Sequence, residues 1–318
     1  MGMHRKQSIV TGEENLVNAT RALISTFRPQ TIMGVDFSGA ALAGKNAWIA
    51  ELRIVENGRE GSPARPLQLV DLQPLGRAAG DPARETVCKY LAERILASRQ
   101  TLWGMDFPFG LPIELGIGDW PDQIRHVTDH EGNAQSYGRH LVQISQQQGD
   151  SMHIRRLTDR ETRTPFDCYH YRIIYQTFHG MRDVLGAIAG DAHTLVLPFD
   201  SVRLDRGDVA AEDVNRIVME ACPSSTLWQM SLPRQKYKQP GGKPPDELRR
   251  KNRRQILAGL SGVVEMSPYR RKVIMNNPGG DALDAVLAGI GIWSSWHRDD
   301  HAEIANHPRY GREGRVYC

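Results

Sequence analysis

Two short apolar runs in the first third of the chain each stop at an aspartate. TIMGVDFSG (31–39) breaks off at Asp36 and TLWGMDFPFG (101–110) at Asp106, and in both the next residue is phenylalanine. A short continuous apolar run bounded by glycine and proline has the pattern of a buried strand ending in a turn. Asn46 to Leu52 and Leu67 to Leu72 read as two further short strands, joined by turn-forming residues at 58–66 (GREGSPARP). Pro82 to Ser98 reads as a helix with Val87, Tyr90, Leu91 and Ile95 on one face. The order strand, strand, strand, helix, strand places the chain in the α/β class.

Ahead of this unit, Thr11 and Glu14 form a capping box before an apolar-periodic stretch, Leu16 to Phe27, that Pro29 ends. Beyond it, residues 113–212 are rich in Gln, His, Asp and Arg, with one amphipathic segment near Tyr169 to Ile188 and few strand signals. The expectation there is a mainly helical insertion. Its histidines, among them His126, His130 and His153, match no standard metal spacing. Strand character returns at Arg216 to Ala221, and Pro223 opens a helix. A loop with Gly241-Gly242 and Pro244-Pro245 leads to a helix at 246–260, a short strand at Val263 to Met266, and a strong helix that starts at Asp281. The expected organisation is an N-terminal helix or tail (1–30), a core in two pieces (31–112 and 213–297), the 113–212 insertion between them, and a loose polar tail (298–318).

Composition narrows the class. Charged residues make up 24% and the apolar set 40%, which excludes a disordered chain. No run of eighteen apolar residues exists to form a membrane span, and the charged start lacks the apolar stretch of a secretory signal. Cys88, Cys168, Cys222 and Cys318 are scattered with no C-x-x-C pair. That argues against a disulfide framework or a structural zinc, and makes the cytoplasm the expected location. Net charge is only +3, but residues 234–254 hold nine basic residues against two acids. Such a patch suits a polyanion, and equally a solvated surface helix.

Asp36, Asp106 and Glu220 each stand near the C-terminal end of an expected strand, and Asp281 and Asp284 lie three apart at a helix start. If the strands are neighbours, these acids converge at one sheet edge, with the helix adding one or two more. Four or five carboxylates together do not stay ionised without a cation. All-oxygen donors suit Mg²⁺ or Mn²⁺, and two such ions about 3.5–4 Å apart clamp a phosphodiester and activate water. Each acid also has a structural role open to it. Asp281 and Asp284 suit the first turn of a helix, and Asp36 and Asp106 suit local turns. Glu220, in an apolar strand, needs a partner in any case.

Gly39 to Lys45 spells G-x-x-x-x-G-K, but Asn46 replaces the Ser or Thr of a P-loop and the following NAWIAEL reads as a strand, not a helix. A glycine-rich connection is the simpler account. The strand and helix order, with Asp on the first strand and acids on a late helix, resembles the RNase H-like fold: a mixed sheet with flanking helices. GVDFSGA (34–40), MDFPFGLP (105–112), MEACPSS (219–225), the pair Tyr237-Lys238 and DALDAVLAG (281–289) together resemble the domain-of-unknown-function 429 family, described as predicted nucleases of that fold. The resemblance spans roughly residues 31–297. It implies an acidic site of Asp36, Asp106, Glu220, Asp281 and Asp284, with substrate near Lys236 to Lys238, and sets Arg156 and Asp159 facing the site or salt-bridged.

The leading expectation is therefore a metal-dependent nuclease, a hydrolase of nucleic-acid phosphodiesters. Asp36, Asp106, Asp281 and Asp284 would bind the metals, and Glu220 would hold a metal or orient water. Lys236, Lys238, Arg249, Arg250, Arg253 and Arg254 would contact phosphates. The alternatives are a phosphotransferase of the related actin-like core, or a non-catalytic nucleic-acid-binding module.

Overall fold

The computed structural model describes residues 12–55, 67–149 and 151–318. Thr11 of the expected capping box and the 58–66 turn run lie outside the described residues. The helix Gly12–Thr26 starts somewhat earlier than the Leu16 expected from periodicity.

Among the described residues eight strands build one sheet: β1 (Thr31–Asp36), β2 (Trp48–Ile54), β3 (Leu67–Pro74), β4 (Thr101–Asp106), β5 (Thr194–Leu197), β6 (Arg216–Ala221), β7 (Val264–Glu265) and β8 (Val316–Tyr317). Their spatial order is β5-β6-β4-β1-β2-β3-β7, with β8 paired to β6. β1, β2 and β3 form an antiparallel meander, while β4 runs parallel to both β1 and β6. This is the expected α/β class, a mixed sheet flanked by helices in an RNase H-like arrangement. β1, β4 and β6 are buried on both faces, so they read as unbroken apolar runs; β3 alternates. The near-P-loop run ends in a single helical turn, Ala43–Lys45, and leads into β2, so it opens no longer helix.

The helix Asp281–Arg298 lies across one face and is buried around most of its circumference. It approaches closely because Gly34 and Gly104 leave room. A methyl group on Gly34 would stand 2.0 Å from the Ala285 carbonyl oxygen, and one on Gly104 2.7 Å from that of Ala288. Ile32 and Leu102 share this face. Met33, Val35, Trp103 and Met105 point to the other, where the helices Arg84–Ala97, Trp120–Thr128 and Ala134–Gln148 cover a second core. The amphipathic Tyr169–Ile188 segment resolves into the helix Ile174–His179 and a π-turn over Gly180–Leu185.

The insertion is mainly helical as expected but adds a strand to the sheet, and the expected loose tail is corrected. The stretch 113–212 supplies β5, whose four buried residues TLVL are too few to show a period. The tail 298–318 is not loose: it forms the helix His301–Asn306 and a short turn of helix, and ends as β8 beside Glu220 and Ala221. Its polar residues are anchored instead of solvated. Glu313 is fully buried, accepts the Leu157 amide at 2.6 Å and pairs with Arg309 at 2.9 Å. Among the described residues no helix is long and apolar enough to cross a membrane. The four cysteines are free and buried.

Candidate metal centre

Sheet register decides which acids meet. β1 and β4 are parallel neighbours with Asp36 opposite Asp106, so both carboxylates leave the same face at the C-terminal edge. That face is the one the helix Asp281–Arg298 covers, and its first turn adds Asp284. Asp36, Asp106 and Asp284 each offer an oxygen, all within 4.8 Å of one another, an arrangement that can hold a metal ion. They line a cavity of about 470 Å³ together with Lys236 and Lys238.

Glu220 does not join them. It lies opposite Met105, one residue short of Asp106, and side chains alternate along a strand. Glu220 therefore leaves the other face, where the inserted helices pack. There Arg156 meets it through two bonds of 2.5 and 2.8 Å and meets Asp159 through bonds of 2.8 and 3.1 Å. The Phe109 amide donates a further bond to Glu220 at 2.9 Å. All three charged groups are almost wholly buried. The carboxylate expected to hold metal or water is thus committed to a buried ion triad, and the structural reading of Arg156 and Asp159 holds even though both border the cavity.

Asp281 also stands outside the three-carboxylate group. It is the first helical residue, and its carboxylate folds back over Gly279, a placement that favours the helix dipole. It still acts on the site through its charge, as one of the causes raising Asp36.

The loop before the basic helix supplies the groups that hold Asp284. The Tyr237 hydroxyl donates to Asp284 at 2.8 Å, and the Lys238 ammonium forms an ion pair with the other Asp284 oxygen. The lysine stem is half exposed while its ammonium reaches into the cluster. Asp284 and Asp36 hold the Lys238 pKa well above its usual value against the effect of burial. A cation is thus already drawn to the oxygens where a divalent ion would sit.

The helix Glu247–Gly259 braces this loop. Arg253 is fully buried and donates to the carbonyls of Tyr237 (2.7 Å), Ile274 (2.9 Å), Asn277 (2.5 Å) and Pro278 (2.9 Å). It ties the loop to the C-terminal end of the helix Pro268–Asn276 and has no face for a phosphate, which corrects its expected role. Arg249 donates to the Lys238 carbonyl at 2.8 Å and pairs with Asp246. Arg250 donates to the Pro245 carbonyl at 3.0 Å, and Arg254 pairs with Glu247. None of the four lines the cavity, whereas Lys236 and Lys238 do. Nothing in a run of basic residues distinguishes the arginine that faces inward.

Crowding shows in the titration of the acids. Burial, then the charge of Asp284, raises the Asp36 carboxyl well above its ordinary range; burial, then Asp284, pushes Asp106 up to about 8. Burial raises Asp281 as well. A carboxyl with a raised folded-state pKa keeps a proton that the unfolded chain, near pH 4, has released, so rising pH from about 4 to 8 destabilises the metal-free fold. A divalent ion bound by these three carboxylates would take the place of that proton. Mn²⁺ affinity is therefore expected to rise about tenfold per pH unit between pH 6 and 8, with about one proton released per ion. Calorimetric titration in two buffers of different ionisation enthalpy checks both, and an affinity flat with pH would mean the carboxylates are already ionised.

No protein-family model, no curated protein and no solved structure matches the chain.

Proposed function

We propose that this protein is a metal-dependent hydrolase of nucleic-acid phosphodiesters, a divergent relative of the domain-of-unknown-function 429 family. The observation that carries the reading is the convergence of Asp36, Asp106 and Asp284 within 4.8 Å on the floor of a cavity walled by Lys236 and Lys238. Hard carboxylate oxygens with no sulfur or imidazole among them fit Mg²⁺ or Mn²⁺. When bound, such an ion supplies Lewis-acid polarisation of a phosphoryl oxygen and a water of lowered pKa.

The chain's own groups do the rest. Tyr237 fixes the orientation of Asp284 through its hydroxyl. Lys238 balances the carboxylates through its ion pair with Asp284 and, with a metal bound there, would be free to face a substrate phosphate. Arg156 pairs with Glu220 on the opposite face of the sheet, although the Glu220 charge still contributes to raising Asp106. Three carboxylates support one ion per chain without substrate, and the same calorimetric titration counts it. The described residues form a single sheet, so the duplicated core of actin-like phosphotransferases is not seen among them. Four free, buried cysteines suit a reducing compartment.

The test is a panel of single-stranded DNA, duplex DNA, RNA, RNA–DNA hybrid and a four-way junction, each incubated with Mn²⁺ or Mg²⁺. Cleavage that chelation abolishes is the expected result. Intact substrates throughout the panel would overturn the proposal.

A further inference from the structure

Beside the acidic cavity lies a second one of about 450 Å³, lined by Arg155, Arg160, Arg163 and Arg234 and by no carboxylate. Thr164, Ser224 and Arg234 line both cavities, so the two adjoin. Four guanidinium groups in one concavity repel one another, and proteins commonly relieve such repulsion with Asp or Glu. Here the bonds go elsewhere. Arg155 donates to the Pro165 carbonyl at 3.2 Å, Arg160 donates to the Arg155 carbonyl at 2.9 Å, and Arg163 lies over the Trp228 ring at 4.6 Å. Among the described residues none of the four is ion-paired to a carboxylate. Arg163 also holds a left-handed backbone, φ 55°, which non-glycine residues seldom adopt and which concentrates at functional sites.

We infer that this arginine-lined cavity is a phosphate subsite that takes the backbone of a single-stranded nucleic acid leaving the metal centre. The inference rests on the proposed phosphodiester chemistry and adds the form of the substrate. Arginine presents a planar fork of donors that matches phosphate oxygens, and stacking on Trp228 holds one fork in place. A small phosphate ester needs no second anion pocket, whereas a strand repeats its phosphates and runs into one. The acids lie on a recessed floor, with Asp284 1% exposed and Asp36 7% exposed, which admits a single strand more readily than a duplex. Phe166, on the wall of the acidic cavity, is stacked on His170 at 4.7 Å and belongs to an aromatic surface of the kind that non-paired bases extend. The subsite also replaces the 249–254 helix as the basic surface for the strand.

The experiment measures fluorescence anisotropy of a labelled oligothymidylate of about twelve nucleotides, in chelator, across a salt series. Arg160→Ala/Arg163→Ala/Arg234→Ala is compared with the wild type. Each single-strand phosphate contact contributes about 0.7 to the slope of log affinity against log salt, so the triple variant is expected to lose about 2 from the slope and to bind roughly 100-fold more weakly at 0.1 M salt. Arg160→Glu alone changes an exposed residue and gives a smaller loss in the same direction, which guards against misfolding of the triple variant. Equal slopes for variant and wild type would overturn the subsite. So would a wild type that binds tripolyphosphate but not the oligonucleotide, or neither. The failures are separable: strand binding through the arginines with no cleavage under any metal sinks the hydrolase reading alone, and cleavage with an unchanged salt slope sinks the subsite alone.

Discussion

Asp36→Asn is expected to abolish metal-dependent cleavage, by about 1,000-fold or more, and to make the metal-free protein more stable. The first effect follows from removing one of three oxygens that converge within 4.8 Å, since metal coordination supplies several kcal/mol at the transition state and about 1.4 kcal/mol is tenfold in rate. The second follows from the cost of the cluster. Asp36 is desolvated and sits against Asp284, Asp281 and Asp106, which together outweigh the favourable pull of Lys238. An amide carries no charge to repel, so the variant should gain about 1 kcal/mol above pH 8, where the carboxylates ionise, and progressively less towards pH 5. Thermal unfolding in chelator reads the gain, and thermal unfolding with Mn²⁺ should show that the metal no longer adds stability. A variant that cleaves like the wild type would remove Asp36 from the chemistry. A variant that is less stable at every pH would show that its carboxylate supports the fold.

Replacing Arg156 by methionine should be the most destabilising single change near the site, at about 3–5 kcal/mol, because it strands two buried carboxylates. Arg156, Glu220 and Asp159 are 1%, 2% and 1% exposed, so water cannot take over the role of the guanidinium. Burial already raises Glu220, with Arg156 opposing that shift. Without the arginine the buried Glu220 carboxyl favours its protonated form in the fold, and the sign of the pH dependence follows. The folded variant binds protons that the unfolded chain releases above about pH 4, so the loss deepens as pH rises and shrinks as it falls. Urea unfolding at pH 5 and pH 8 measures the difference. Adding Glu220→Gln and Asp159→Asn to the variant should restore part of the loss. A single variant within 1 kcal/mol of wild type at pH 8 would show that the triad is not what joins the insertion to the sheet.

Much of the site was legible because strand ends are visible in sequence. GVDF and GMDF mark where two buried runs stop, and a sheet of parallel neighbours brings such stops to one edge. The pair Tyr237-Lys238 and the acid at 284 also appear as sequence motifs, and all of these reach the same cavity. A further signal was present: a glycine two residues before each strand aspartate. It shares the aspartate's face, and it admits the helix backbone that carries Asp284. The tail and β5 escaped notice because two- and four-residue strands carry too little pattern to separate from turns. The arginine-lined cavity escaped because its members come from three places in the chain, and Arg155, Arg160 and Arg163 look like any solvated helix end.

The sequence by itself determined the class of fold, the places where strands stop, and the candidates for an acidic centre, because burial on both faces and abrupt polar stops leave local marks. Only the tertiary structure decided which acids belong together. Asp36 and Asp106 share a face because their strands pair in register, and Glu220 faces the opposite way because it lies one residue short of that row. Likewise only packing could show that Arg253 spends its donors on backbone carbonyls while Arg160 and Arg234 line a cavity without a carboxylate. Side-chain direction alternates with a period of two along a strand, and register between distant strands is set by the whole sheet. A single residue of offset, invisible in a linear reading, separates a member of the three-carboxylate cluster from a buried salt bridge.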